Sequence, residues 1–264
     1  MHYSANKTWL ALIAILLFFS CTEEIDPGLE YNEESCYGSS DSYEMFLDKR
    51  DSTKYRTIEL GHQVWMAENL KYLPKLSSHS TLKASEPCYY VYEYTGSDVN
   101  EAISSQYYNQ LGVLYNFESA QNACPEGWRL PTKNEWIEMS KIVGRTLNSS
   151  YEAYENLEDN PYDNDTLFYV AKDIASPCMW VKSEIENSVG NNPSNNNKSK
   201  LSLLPGGFLT YNGFSSINEI GYWWTSDAEN TDHAWAGSLA YSKQGTGVMG
   251  AKKDLGFSVR CIKE

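Results

Sequence analysis

Residues 124–136 read Cys-Pro-Glu-Gly-Trp-Arg-Leu-Pro-Thr-Lys-Asn-Glu-Trp and contain the start of the clearest helix in the chain. Pro131 stops the preceding segment, and Thr132 together with Glu135 makes a capping box. The apolar residues that follow share one helical face; they are Trp136, Met139 and Val143. Gly144 is predicted to end this helix.

Two more segments near this helix carry local signals. Residues 117–123 predict a shorter helix, whose end is fixed by Pro125. Further upstream, residues 55–60 and 63–66 are strand-like and flank a two-residue connection that begins with Gly61. A β-hairpin is therefore predicted to open the domain.

The chain after the long helix reads as loops and then short strands. Residues 148–166 and 187–199 are rich in Asn, Asp, Ser or Tyr and predict loops. The predicted strands are separated by Gly, Ser and Asn; they are 201–204, 221–225, 234–241, 246–251 and 257–262. Two helices followed by a mostly antiparallel, irregular sheet predict an α+β domain without internal repeats.

The composition is that of a folded, acidic protein. Its 264 residues carry 35 acidic and 21 basic side chains, a formal charge of −14, and 14% are aromatic. Disordered chains have few aromatic residues, so a largely disordered protein is excluded. A nucleic-acid partner is not expected, because binding phosphates requires a basic surface.

The N-terminus differs from the rest of the chain. Residues 9–19 form an apolar run that is too short to cross a bilayer, which needs roughly 20 residues, so residues 1–20 are predicted to be a signal peptide. Ser20 followed by Cys21 resembles the lipobox of bacterial lipoproteins, which makes Cys21 the expected site of lipidation. The acidic residues 23–26 resemble the surface-export signal of Bacteroidota-type bacteria.

We therefore expect a lipid anchor in the outer membrane, with the protein facing the cell exterior. The alternative is an ordinary cleaved signal peptide, with Cys21 in a disulfide. Residues 21–53 are rich in Glu, Asp, Ser and Gly, which predicts a lipidated flexible tether. The folded domain is then expected over residues 54–264.

Six short blocks occur in a fixed order in this domain. They are 57–70 (TIELGHQVWMAENL), 112–116 (GVLYN), 124–131 (CPEGWRLP), 204–207 (LPGG), 221–226 (GYWWTS) and 256–261 (GFSVRC). Together they resemble the signature blocks of the Fibrobacter succinogenes major paralogous domain, a family of exported bacterial proteins. The resemblance covers roughly residues 54–264.

This resemblance implies a C-type-lectin-like fold related to the formylglycine-generating-enzyme architecture. In that fold a cysteine at the end of one helix pairs with a cysteine in the last strand. The resemblance thus implies a disulfide between Cys124 and Cys261. Cys88 and Cys178 are the next candidates to pair, which leaves Cys36 unpaired in the tether, although sequence alone does not fix connectivity.

The sequence contains no recognisable catalytic constellation. It has no His-x-x-x-His or Cys-x-x-Cys spacing for zinc, no nucleophile elbow and no phosphate loop. The resemblance to formylglycine-generating enzymes would require a reactive cysteine pair, but the two best-placed cysteines are assigned to the scaffold. The calcium motifs of sugar-binding C-type lectins are also missing, because Glu86-Pro87 is followed by Cys88. No enzyme activity, metal or cofactor is expected.

Aromatic residues are the remaining candidates for ligand binding. They are Tyr211, Tyr222, Trp223, Trp224 and Trp235, which can stack on sugar rings or anchor a protein partner. Because side chains alternate across a strand, at least one of the two adjacent tryptophans is expected in the core.

The expected function is that of a non-enzymatic, lipid-anchored surface protein with a lectin-like head that binds a glycan or a surface protein through its loops. Two alternatives remain open. One is a structural or assembly component of the cell envelope with no small ligand. The other is an enzyme related to formylglycine generation.

Overall fold

A computed structural model describes residues 31–38, 40–147 and 169–264. Several predictions lie outside these residues. They concern the signal peptide at 1–20, lipidation of Cys21, the first part of the tether up to residue 30, and the loop at 148–166.

The described residues form six α-helices and twelve strands, together with two short 3₁₀-helices at Ser40–Ser42 and Pro193–Asn195. The helices are α1 (Glu33–Tyr37), α2 (Val99–Ile103), α3 (Gln106–Leu111), α4 (Phe117–Ala120), α5 (Lys133–Leu147) and α6 (Ala171–Ile174). The strands are β1 (Glu44–Leu47), β2 (Lys54–Leu60), β3 (Gln63–Met66), β4 (Tyr89–Tyr90), β5 (Leu114–Tyr115), β6 (Trp128–Arg129), β7 (Gly206–Thr210), β8 (Gly213–Ile217), β9 (Ile220–Ala228), β10 (His233–Ala240), β11 (Gly247–Lys252) and β12 (Ile262–Lys263).

These strands build two five-stranded sheets and a small two-stranded one. The first sheet has the order β1-β2-β3-β12-β6, the second has the order β11-β10-β9-β7-β8, and β4 pairs with β5. Neighbouring strands run antiparallel except β7 and β9, which are parallel. The chain is therefore an α+β protein, as predicted. No helix in the described ranges is long and apolar enough to cross a membrane.

The predicted hairpin is formed by β2 and β3. Leu60 faces Gln63 and Thr57 faces Met66 in the antiparallel register. Gly61 has a φ of 64°, a left-handed value that glycine adopts without the steric cost that other residues meet. The local turn signal was sufficient to predict this element.

Helix α5 begins with the predicted capping box but ends later than predicted. The Glu135 amide donates to the Thr132 hydroxyl (3.1 Å), and the Thr132 amide donates to the Glu135 carboxylate (2.7 Å). Gly144 lies buried inside the helix, which continues to Leu147. Gly144 does not have the left-handed φ that a terminating glycine adopts, so its predicted role was wrong.

The prediction of a flexible tether up to residue 53 was also wrong for its described part. Cys36, Tyr37 and Tyr43 are buried in an apolar cluster with Cys178 and Leu204. Strand β1 pairs with β2 along its whole length. The fold therefore starts before residue 54, since polar composition did not reveal the buried tyrosines and cysteine among the charged residues.

Two disulfides join distant parts of the chain. Cys124 is bonded to Cys261 with an S–S distance of 2.07 Å, the pair that the family resemblance implied. Cys36 is bonded to Cys178, so the expected Cys88–Cys178 pair and the unpaired Cys36 were both wrong. The reason is packing: Cys178 and Cys36 share one apolar cluster, whereas Cys88 lies buried and free in another.

Candidate functional site

Trp223 and Trp224 are not available to a ligand. Both side chains are fully buried, because the second sheet is covered on both faces. On one face Trp223 stacks against Trp136 of α5 at 5.8 Å between ring centroids. On the other, Trp224 stacks against Phe257 at 4.5 Å. Strand alternation predicted one buried tryptophan. The other is buried because the opposite face of the sheet is covered as well, and only the tertiary fold shows that.

Tyr222 and Trp235 are partly accessible, but neighbouring side chains cover them. Tyr222 lies between Phe208 (5.2 Å) and Phe257 (4.8 Å between ring centroids), and burial raises the pKa of its hydroxyl. The Lys133 ammonium lies 3.1 Å from the centroid of the Trp235 ring. This cation–π contact occupies one face of the indole.

Tyr211 is the predicted candidate that remains open to solvent, with 61% of its surface exposed. It lies at the tip of the β7–β8 hairpin, where its hydroxyl donates to the carboxylate of Asp254. The Asp254 hydrogen bond, followed by burial, raises the pKa of Tyr211 to about 12. The Lys252 ammonium lies 5.3 Å from the ring centroid. The ring is thus held in place while much of its surface faces solvent.

A pocket of about 370 Å³ lies in the loop that precedes β4. Its walls combine charged, hydroxyl-bearing and small side chains; they are Lys75, Ser77, Ser78, Thr81, Lys83, Glu86, Pro87 and Cys88. The volume is within the range of small-molecule sites, roughly 300–1,000 Å³. No pattern in the sequence indicated this pocket.

Asn116 fixes the conformation of the pocket loop, residues 75–88. Its side chain is fully buried and caps α4 by accepting from the Ser119 amide (3.0 Å). The same oxygen accepts from the Cys88 amide (2.9 Å), and the side-chain amide donates to the carbonyl oxygens of Lys83 (2.6 Å) and Glu86 (2.7 Å). One side chain therefore fixes three points of the loop, and the 112–116 block was the available signal for it.

The pocket loop packs against the hairpin that carries Tyr211. The His79 ring stacks on Phe214 of β8 at 5.8 Å between centroids. Cys88 and Tyr90 share an apolar cluster with Leu209 of β7, against which Phe214 packs. We call the surface made by residues 75–88, the hairpin 206–217 and the turn 252–254 the loop–hairpin face.

This face combines two lysines with one carboxylate at the pocket. Lys83 is ion-paired with Glu86 at 3.0 Å, and both side chains are well exposed. Lys75 lies 6.0 Å from the centroid of the Tyr89 ring. No group of three or more His, Cys, Asp or Glu residues with the geometry to hold a metal ion is present in the described ranges.

The fold and this face define a disulfide-bonded α+β domain with a loop-built surface pocket. Residues 58–263 match the family described as Fibrobacter succinogenes major domain, and the chain belongs to that family. No curated protein and no solved structure matches the chain.

Proposed function

We propose that this protein is a non-enzymatic, lipid-anchored protein of the outer membrane, displayed on the cell exterior, whose C-type-lectin-like head binds a glycan or a surface protein. The loop–hairpin face is the proposed contact surface. This proposal joins the signal-peptide and lipobox pattern of residues 1–21 to the family membership and to the geometry of that face.

The observation that carries the proposal is the environment of Tyr211. An aromatic ring that is 61% exposed but held by Asp254 offers a flat apolar surface at small entropic cost. The pocket loop packs against the same hairpin through His79 and Phe214, and the pocket supplies hydroxyl and charged groups from Ser77, Ser78 and Lys83. Apolar stacking beside a few polar groups is the combination by which binding sites select a sugar or a peptide.

The cysteine chemistry supports a binding role over an oxidase role. The formylglycine-generating architecture needs a reactive pair of thiols, whereas Cys36, Cys124, Cys178 and Cys261 form disulfides. The Cys124–Cys261 disulfide and the capped helix α5 agree with the features that the family resemblance implies for a lectin-like fold.

A glycan array and a pull-down with the full chain, purified in mild detergent, test the proposal. We expect Tyr211→Ala to weaken ligand binding by at least about tenfold, which is about 1.4 kcal/mol and typical of a central aromatic contact. Trp235→Ala is the matched control, because one face of that ring is already covered by Lys133. Loss of binding in Trp235→Ala alone would place the contact surface elsewhere.

One observation favours a structural or assembly role as the second candidate. Strand β1 lies at the end of its sheet, with Met45 53% and Leu47 48% exposed. Exposed edge strands are templates for pairing with another chain. A partner that is recovered by wild type and Tyr211→Ala, but lost in Met45→Lys with Leu47→Lys, would support this role.

A further inference from the structure

The loop–hairpin face has the opposite sign of charge to the chain as a whole. Its three segments contain four lysines and two carboxylates, a net charge of +2; they are Lys75, Lys83, Lys252, Lys253, Glu86 and Asp254. The whole chain has a formal charge of −14, so the residues outside this face together carry −16, the difference between the two values. The face therefore attracts anions on a molecule that otherwise repels them.

Both carboxylates of this face already have partners. Glu86 is ion-paired with Lys83 at 3.0 Å. The carboxylate of Asp254 accepts a hydrogen bond from the Tyr211 hydroxyl. Their negative charge is thus held at fixed places and does not reach the other lysines of the face as ion pairs.

Two exposed lysines of the face have no carboxylate partner. Lys75 and Lys252 form no ion pair in the ranges that the structure describes. Their ammonium groups lie near aromatic rings instead, at 6.0 Å from the Tyr89 centroid and 5.3 Å from the Tyr211 centroid. A sugar that stacks on Tyr211 would therefore lie beside a cation that can bind an anionic group.

The pocket and Tyr211 belong to one continuous surface. The side-chain amide of Asn116 donates to the carbonyl oxygen of Lys83 (2.6 Å). The next residue, Phe117, donates its amide to the carbonyl oxygen of Lys253 (2.9 Å). The residue after Lys253 accepts from the Tyr211 hydroxyl. These contacts place the pocket, the turn and the exposed ring side by side, so a ligand of several units can touch all three.

We propose that the ligand of the loop–hairpin face is an acidic polysaccharide, one of whose rings stacks on Tyr211 while its carboxylate or sulfate groups bind Lys75 and Lys252. This inference rests on the proposed binding function and names the class of its ligand. Carboxylate and sulfate groups share a negative charge and acceptor oxygens, which the compact ammonium group of lysine binds in either case.

The shape of the charge distribution favours a narrow chain over a broad anionic surface. A broad surface, such as a membrane, would also approach the strongly acidic remainder of the molecule and be repelled by it. A polysaccharide chain can touch the basic face alone. The exposed ring of Tyr211 favours sugar units over an acidic peptide, because it offers a flat stacking surface.

The test compares three probes on the full chain in mild detergent. Oligogalacturonate carries only carboxylates, dextran sulfate carries only sulfates, and dextran is the neutral match of the latter. We expect at least one acidic probe to bind about tenfold more tightly than dextran, and its affinity to fall as the salt concentration rises from about 50 to about 500 mM. The probe that binds identifies the anionic group. Dextran that binds as tightly as both acidic probes would overturn the inference.

Two pairs of lysine variants locate the charge effect. Lys75→Gln with Lys252→Gln should weaken binding of the acidic probe about five- to thirtyfold, the loss of two exposed ion pairs. Lys54→Gln with Lys263→Gln is the matched control, because these lysines are equally exposed but lie on β2 and β12, and their loss changes the net charge by the same amount. Equal weakening by the two pairs would show a general charge effect and contradict the assigned site.

Failure of this inference can be told apart from failure of the proposed function. A neutral glycan or a protein whose binding depends on Tyr211 but not on Lys75 and Lys252 would refute the acidic ligand and leave the binding function in place. Polyglutamate that binds as tightly as the acidic sugars, with no loss in Tyr211→Ala, would refute it as well, since that is attraction of any polyanion. Absence of every ligand would refute both.

Discussion

At the scale of single residues, Arg260 organises the centre of the domain. It is fully buried, and burial lowers its pKa to about 10. Its guanidinium donates to the carbonyl oxygens of Met66 (3.2 Å), Leu201 (2.8 Å) and Ser202 (3.0 Å), and to the side-chain oxygen of Asn69 (3.1 Å). These acceptors come from two segments of the chain that are far apart in sequence, so one cation holds both to the terminal segment.

We expect Arg260→Met to lower the free energy of unfolding by at least about 3 kcal/mol, because several buried acceptors lose their donor at about 1–3 kcal/mol each. Denaturant unfolding followed by tryptophan fluorescence measures this. Arg129→Met is the control: Arg129 is 42% exposed and pairs with Glu135 near the surface, so it should cost about 1 kcal/mol or less. Equal losses in the two variants would contradict the role of Arg260.

The accessibility of individual aromatic residues was only partly predictable. Alternation along β9 placed one of its tryptophans in the core, but Trp136 and Phe257 cover them both from elements distant in sequence. Tyr211 was identified by residue type alone. Its fixed position depends on Asp254, which lies 43 residues away, and no local pattern reports such a contact.

At the scale of elements, the N-terminus of α5 has a pH-sensitive cap. The pKa of Glu135 falls from an ordinary value of 4.5 to about 2, mainly through the hydrogen bonds from Arg129, with further help from the Thr132 amide and hydroxyl and in spite of partial burial. A carboxyl group whose pKa is lower in the folded state stabilises the fold above its unfolded pKa. That contribution is lost as the pH falls from about 4.5 through 2.

Glu135→Gln should therefore destabilise the protein by about 1 kcal/mol at pH 7, the usual cost of a lost helix cap. The difference from wild type should shrink below pH 4.5 and be nearly gone below pH 2, once the wild-type carboxyl group is itself protonated in the folded state. Thermal unfolding of both proteins across this pH range measures the effect. A difference that does not change with pH would exclude Glu135 as the titrating group.

Elements with local signals were predicted well, and those that depend on distant partners were not. The capping box and the Gly61 turn lie within a few residues of the structures that they start, so the sequence reported them. The β7–β8 hairpin was missed, and residues 201–204 form only a single bridge, from Leu203 to Ala175, in place of the predicted strand. The pocket loop was missed for the same reason, since Asn116 shapes it from outside.

At the scale of the whole molecule, two disulfides close large loops. Cys36 and Cys178 are separated by 142 positions, and Cys124 and Cys261 by 137. The family resemblance implied the second pair. The first pair was missed because Cys36, Cys88 and Cys178 all remained as possible partners. Only the packing around Tyr37 and Met179 shows which two of them are neighbours.

Replacing both Cys36 and Cys178 by Ser should lower the free energy of unfolding by about 4–5 kcal/mol, the value that chain entropy assigns to a loop of this length. Denaturant unfolding of the oxidised proteins measures the loss. Cys88→Ser is the control, because it removes a buried sulfur but no cross-link. A similar loss in the control would show that packing, and not loop closure, accounts for the effect.

The Cys36–Cys178 bond also determines how the molecule responds to mechanical force. Force applied to the N-terminal end would be transmitted from Cys36 through the disulfide to Cys178. The described elements between these two residues, which include β1, the β2–β3 hairpin and α5, lie within the loop that the disulfide closes, so the bond shields them from that pull. From Cys178 the force would follow the chain to the β7–β8 hairpin. A molecule bound at Tyr211 would therefore be connected to the N-terminal end by the disulfide and the short segment from Cys178 to Tyr211.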